Sequence, residues 1–131
     1  MEIRDLSARQ IFDSRGVPTL EARATLADGS VGLGSAPSGA STGSHEAKEL
    51  RDGGDAYGGR GVRRAIENVN GAIRDALIGM DAANQSRVDE LLGELDGTAD
   101  KSKLGGNALI AVSWAVASAA ARSAGTELFS E

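Results

Sequence analysis

Thr19-Leu20-Glu21-Ala22-Arg23-Ala24-Thr25-Leu26 is followed at once by Ala27-Asp28-Gly29-Ser30 and then by Val31-Gly32-Leu33-Gly34-Ser35. In the first stretch apolar and polar residues alternate, so an extended chain places Leu20, Ala22, Ala24 and Leu26 on one face. Asp28-Gly29 supplies hairpin chemistry, which makes the residues from Val31 to Ser35 the next strand of an antiparallel pair. Upstream, Glu2 to Phe12 can run extended into Asp13-Ser14-Arg15-Gly16, a second turn signal. The first third of the chain is therefore a three-stranded antiparallel meander whose apolar face needs a cover.

That cover follows in three helical patterns. Val62, Ile66, Val69, Ile73 and Leu77 recur at helical spacing, with Arg63, Arg64, Glu67 and Arg74 on the other faces. Asp81 or Asn84 can cap a second helix bearing Val88, Leu91, Leu92 and Leu95, which Asp96-Gly97 would stop. Asn107 can cap a third, in which Leu109, Ile110, Val112, Trp114 and Val116 sit among alanines with almost no charge before Arg122. This spacing predicts that Trp114 belongs to the core and that the third helix is central. Strands first and helices afterwards is the order of an α+β domain, a sheet of three strands under a helical layer.

At 131 residues the chain has room for one domain and no second one. A net charge of -5 with dispersed Lys and Arg gives no footprint for nucleic acid or acidic membranes. There is no cysteine and one histidine, which argues against disulfides, thiol chemistry and a structural zinc site and favours a reducing cytoplasm. The first residues lack the apolar run of a signal peptide, and the Ala-rich segment 108–124 reads as a buried helix rather than a membrane span. The glycines of the connection 49–61, an ordered surface segment by this reading, match neither a dinucleotide fingerprint nor a P-loop.

The segment richest in chemistry is Ala36-Pro37-Ser38-Gly39-Ala40-Ser41-Thr42-Gly43-Ser44-His45-Glu46. Its glycines allow close backbone approach to a ligand, and its hydroxyls and amides suit an anion or a metal-bound group. Composition alone equally describes a plain strand-to-helix connection. His45 is the one histidine, and it stands without a partnered nucleophile in sequence. Glu46 and Glu49 read as surface charge, and turn stabilisation explains Asp13 and Arg15 as well as a site does.

Several segments, taken together, resemble the N-terminal domain of enolase. They are Asp13-Ser14-Arg15-Gly16-Val17-Pro18-Thr19, Pro37 to Gly43, His45-Glu46-Ala47, Glu49-Leu50-Arg51-Asp52-Gly53, Glu67-Asn68-Val69-Asn70, Leu95-Asp96-Gly97-Thr98 and Lys101 to Ala108. The resemblance spans essentially the whole chain. Val17 departs from a common asparagine, Gly106 from a common alanine, and Ser44 falls where the family varies; none of these touches the fold.

The resemblance implies the dehydration of 2-phosphoglycerate to phosphoenolpyruvate, a glycolytic lyase step that uses two Mg2+ ions. It implies that Ser38, Gly39, Ala40, Ser41, Thr42 and Gly43 form a substrate lid, with Ser41 giving oxygen ligands to the second magnesium. His45 becomes a loop-anchoring or substrate-proximal residue, and no catalytic acid or base is expected within these residues. In the family those groups come from a C-terminal barrel domain, absent from 1–131, so the isolated chain is expected to be inactive and to require a barrel in cis or in trans. Arg9 and Glu21 lie where enolases meet the partner subunit's barrel through ion pairs, which implies a homodimer when complete. The competing reading is a non-enzymatic binding or assembly module that keeps this fold and engages another protein through the meander; a silent fragment is the third. The identity of the partner separates the first two, and exposed apolar surface with poor solubility would mark the last.

Overall fold

A computed structural model describes residues 1–12, 16, 18–35, 62–96 and 106–125. Three strands, β1 (Ile3–Phe12), β2 (Pro18–Leu26) and β3 (Val31–Ser35), form an antiparallel sheet in the order β1-β2-β3. The α+β meander expected from the alternation is the architecture observed. Leu20, Ala22, Ala24 and Leu26 are all buried, as the period of two requires. The β2–β3 turn closes through Gly29 N–H to Leu26 O at 2.9 Å, with Gly29 at φ 88, a conformation that strains any side chain with a Cβ.

Helices lying side by side cover the inner face. α1 (Arg63–Asn68), a π turn (Val69–Ile73) and α2 (Arg74–Leu77) run on as one continuous helix against β1. The π turn is evident in Arg74 N–H, which bonds Val69 O five residues back. Its cause is legible in the core positions Ala65, Val69, Ile73 and Leu77, all buried. Three successive steps of four residues overshoot a turn of about 3.6 residues, and one wider turn brings the apolar stripe back onto the sheet. From this turn Asn70 Oδ1 accepts the Ala8 N–H of edge strand β1 at 2.9 Å, and one turn on Arg74 pairs with Asp5 at 3.0 Å. The segment after α2 then lies along the start of β1, Ile3 N–H to Met80 O and Gly79 N–H to Ile3 O both at 2.8 Å. The backbone contacts occupy the N–H groups of Ile3 and Ala8 and the carbonyl of Ile3, which an open strand edge would offer to another chain.

α3 (Gln85–Asp96) begins at Asn84, whose Oδ1 accepts Arg87 N–H at 3.3 Å and whose carbonyl accepts Val88 N–H. Of the two candidate caps, Asn84 takes the role; Asp81 instead closes the preceding turn on Ala83 N–H at 2.9 Å. α4 (Gly106–Ser123) crosses β2 and β3 and is the central helix expected. Gln85 Nε2 reaches Ser113 Oγ and Asp89 Oδ1, each at 3.0 Å, and ties α3 to α4.

Two expectations for α4 are corrected. Asn107 lies inside the helix at 1% exposure rather than capping it, because the helix starts at least one residue earlier. Trp114 is 40% exposed rather than core. The buried stripe is Ala108, Ala111, Val112, Ala115, Val116 and Ala119, and Trp114, two residues beyond Val112, is turned about 200° away from it at about 100° per residue.

The alanines of α4 have a counterpart in β3. Gly32 and Gly34 point inward, and a Cβ built on Gly32 would stand 2.8 Å from Ala119 Cα, with Ala115 O and Ala119 N nearer still. Helix and strand therefore meet backbone to backbone. At the far end Ser123 Oγ donates to Asp28 Oδ2 and Ser30 N–H to Asp28 Oδ1 at 2.9 Å, fastening the C-terminal turn of α4 to the hairpin. These donors, the Ser123 hydroxyl first, hold the Asp28 carboxyl down at about 2.

Candidate functional site

With the inner face of the sheet given over to the helices, β1 to β3 present Ser7, Arg9, Glu21, Arg23, Val31 and Leu33 on the outer face. These residues line a groove of about 440 Å3. Alternation puts them there: Gly32 and Gly34 take the inward positions of β3, so its apolar side chains Val31 and Leu33 turn outward. Leu33 is 50% exposed as a result.

Antiparallel register sets the polar geometry. Arg9 stands directly opposite Glu21, and Glu21 opposite Ser35; one row along, Ser7 stands opposite Arg23 and Arg23 opposite Leu33. Arg9 Nε and Nη2 both donate to Glu21 Oε1, at 3.0 and 2.9 Å. The arginine is 74% exposed and the carboxylate 19%, so the pair is a cross-strand surface bridge of the kind that contributes about 0.2–1 kcal/mol. The two sequence-nominated interface residues are thus brought together, each as the other's partner. Arg23, Val31 and Leu33 line the groove beside this pair and are not among the residues the sequence singled out. The signal was present in the outward phase of β2, where Glu21 and Arg23 fall two residues apart on one face.

Ser38, Gly39, Ala40, Ser41, Thr42, Gly43 and His45 lie outside the described residues, as do Asp13, Arg15, Glu46, Glu49 and the connection 49–61. In sequence the Ser-rich segment follows β3 directly after Ser35, and the described chain resumes at Val62, one residue before α1. Among the described residues, no group of three or more His, Cys, Asp or Glu side chains could hold a metal ion. No helix of the described residues is long and apolar enough to cross a membrane.

A family model described as enolase, N-terminal domain, matches residues 3–131. The chain belongs to the enolase N-terminal domain family. The match takes in the meander, the helical layer and the Ser-rich segment between them, and it agrees with the sheet-then-helices architecture. An enolase N-terminal domain implies a catalytic barrel domain as its partner. The groove on the outer sheet face is a surface of this enolase domain that the described helices, packed on the inner face, leave uncovered.

Proposed function

We propose that this enolase N-terminal domain serves as the capping domain of a cytoplasmic enolase that dehydrates 2-phosphoglycerate to phosphoenolpyruvate. The observation that carries the reading is the family match over 3–131. A rigid sheet fastened to α4 through Gly32, Gly34 and the Asp28–Ser123 bond supports it, since a lid works best when its root does not move.

In this reading Ser38, Gly39, Ala40, Ser41, Thr42 and Gly43 are the lid, and their small side chains let it close over substrate and exclude water. Ser41 gives hydroxyl and carbonyl oxygens, donors suited to a hard cation, to the second of two Mg2+ ions. Bound magnesium supplies positive charge next to the substrate's anionic groups. His45 anchors the lid or stands beside the substrate. The acid and base of the reaction belong to the barrel, and the outer sheet face with Arg9 and Glu21 meets the barrel of a second subunit in a homodimer.

The test is reconstitution. The chain joined to an enolase barrel, or mixed with one, is expected to convert 2-phosphoglycerate with Mg2+, and Ser41→Ala to reduce turnover roughly 10²-fold, as loss of a positioning contact does. The chain alone is expected to show no turnover. Full activity of Ser41→Ala would remove the lid ligand from the account, and turnover by the 131 residues alone would overturn the division of labour.

A further inference from the structure

Asn70 is the one asparagine of the chain that stands before a glycine; Asn68, Asn84 and Asn107 stand before Val69, Gln85 and Ala108. Asparagine is thermolabile because the backbone nitrogen that follows it can attack its side-chain amide, and a glycine offers that nitrogen with no Cβ in the way. Asn70 is exposed, and a Cβ built on Gly71 meets nothing within 4 Å, so the surroundings leave room for the reaction. Two features of the fold oppose it. The π turn is flanked by helical angles, Val69 at φ -66 and ψ -47 and Ile73 at φ -68 and ψ -47, whereas ring closure needs Asn70 to swing its ψ out of the helical well. Asn70 Oδ1 also accepts Ala8 N–H at 2.9 Å, which ties the side chain to β1, and one turn on Arg74 bonds Asp5 at 3.0 Å.

We infer that Asn70 is a deamidation site gated by opening of the π turn, and that the product formed decides whether the β1 edge stays covered. In the open turn the Gly71 nitrogen bonds to Asn70 Cγ, its proton ending on the ammonia that leaves, and a cyclic imide closes. Water then opens the imide. Breaking the new N–Cγ bond gives aspartate, and breaking the original peptide bond gives isoaspartate, whose main chain is one carbon longer. Aspartate fits the site: its carboxylate still accepts Ala8 N–H, now charge-assisted, and it precedes Arg74 by one turn, the favourable order for an acid and a base on a helix. Isoaspartate does not fit, because the extra main-chain carbon breaks the helical ladder and carries the acceptor away from Ala8, which leaves the strand edge open there.

The experiment incubates the chain in mildly alkaline buffer, folded and in urea, and follows amide loss at each asparagine by peptide mass spectrometry. Asn70 should be the fastest site in urea and react at least about 10-fold more slowly when folded, since opening of the turn then limits the rate. Gly71→Ala should bring Asn70 in urea down to the rate of the other asparagines. Asp5→Ala, which frees the next turn from β1, should speed the folded-state loss about 1.5- to 5-fold and leave the rate in urea unchanged. Asn70→Asp should keep the hydrogen-exchange protection of Ala8, and protein carrying isoaspartate at this position, separated by chromatography, should lose it. Equal rates at Asn70 folded and in urea would overturn the gating, and an Asn70 no faster than Asn68 in urea would overturn the site. Full protection of Ala8 in the isoaspartate form would overturn the link to the strand edge.

Discussion

Replacing Gly32 by alanine tests how the sheet is held to its helix. The added Cβ would stand 2.8 Å from Ala119 Cα and nearer still to Ala115 O and Ala119 N, all main-chain atoms of α4. Carbon atoms pack best about 3.5–4.0 Å apart, so the helix must retreat locally by about 1 Å, and no side-chain rotation can absorb the overlap. That retreat loosens Ala111, Ala115 and Ala119, every one of them fully buried. Overpacking of this kind costs about 1–3 kcal/mol, occasionally more, and a backbone obstacle places it at the upper end. Alanine recovers about 0.4–1 kcal/mol by restricting the unfolded chain, which leaves a net loss of about 2 kcal/mol. At roughly 4 °C per kcal/mol for a domain of this size, Tm falls by about 8 °C. The assay is thermal and urea unfolding followed by far-UV circular dichroism, with Gly71→Ala as control because a Cβ there meets nothing within 4 Å. The control should melt at or above the wild type, since alanine is the better helix former. A Gly32→Ala protein as stable as the wild type would refute the backbone-contact reasoning.

Two further outcomes follow from contacts at the ends of the sheet. Asp28 is held at about 2 against an ordinary 3.8, so its contribution is full above that ordinary range and is lost as pH falls towards 2; the stability gap between wild type and Asp28→Asn should shrink between pH ~5 and pH ~2, and a gap independent of pH in chemical unfolding would count against the latch to Ser123. Asn70→Ala removes the acceptor of Ala8 N–H from an exposed site, so it should cost about 1 kcal/mol and speed hydrogen exchange at Ala8 above its β1 neighbours; unchanged exchange there would show that the π turn does not guard the strand edge.

The features legible in the sequence are those whose physics is local. The alternation in β2, the Asp28-Gly29 turn and the apolar stripe through Val62, Ile66, Val69, Ile73 and Leu77 each depend on residues a few positions apart, and each is found, except that Ile66 is only partly buried while its neighbour Ala65 is fully so. The choice between Asp81 and Asn84 needed the backbone, because both side chains can accept a nearby N–H and only the helix start decides which one caps. Trp114 misled because an apolar run on an alanine-rich helix does not mark its own phase; the sheet chooses the face, and it chose the side lined by small residues. The Ser38–Gly43 segment was readable only as a motif, and its reading as a lid is a proposal that rests on the family to which the chain belongs.

By itself, the sequence determined the α+β order, the phase of β2 and the family. Tertiary structure alone decided that Gly32 and Gly34 let α4 approach main chain to main chain, and that Arg9 and Glu21, placed opposite each other by the register, pair on the outer face of the sheet. The reason is one of range. Period and turn chemistry act within a strand or helix, whereas cross-strand register and helix packing bring together residues such as Gly32 and Ala119 that no local pattern relates.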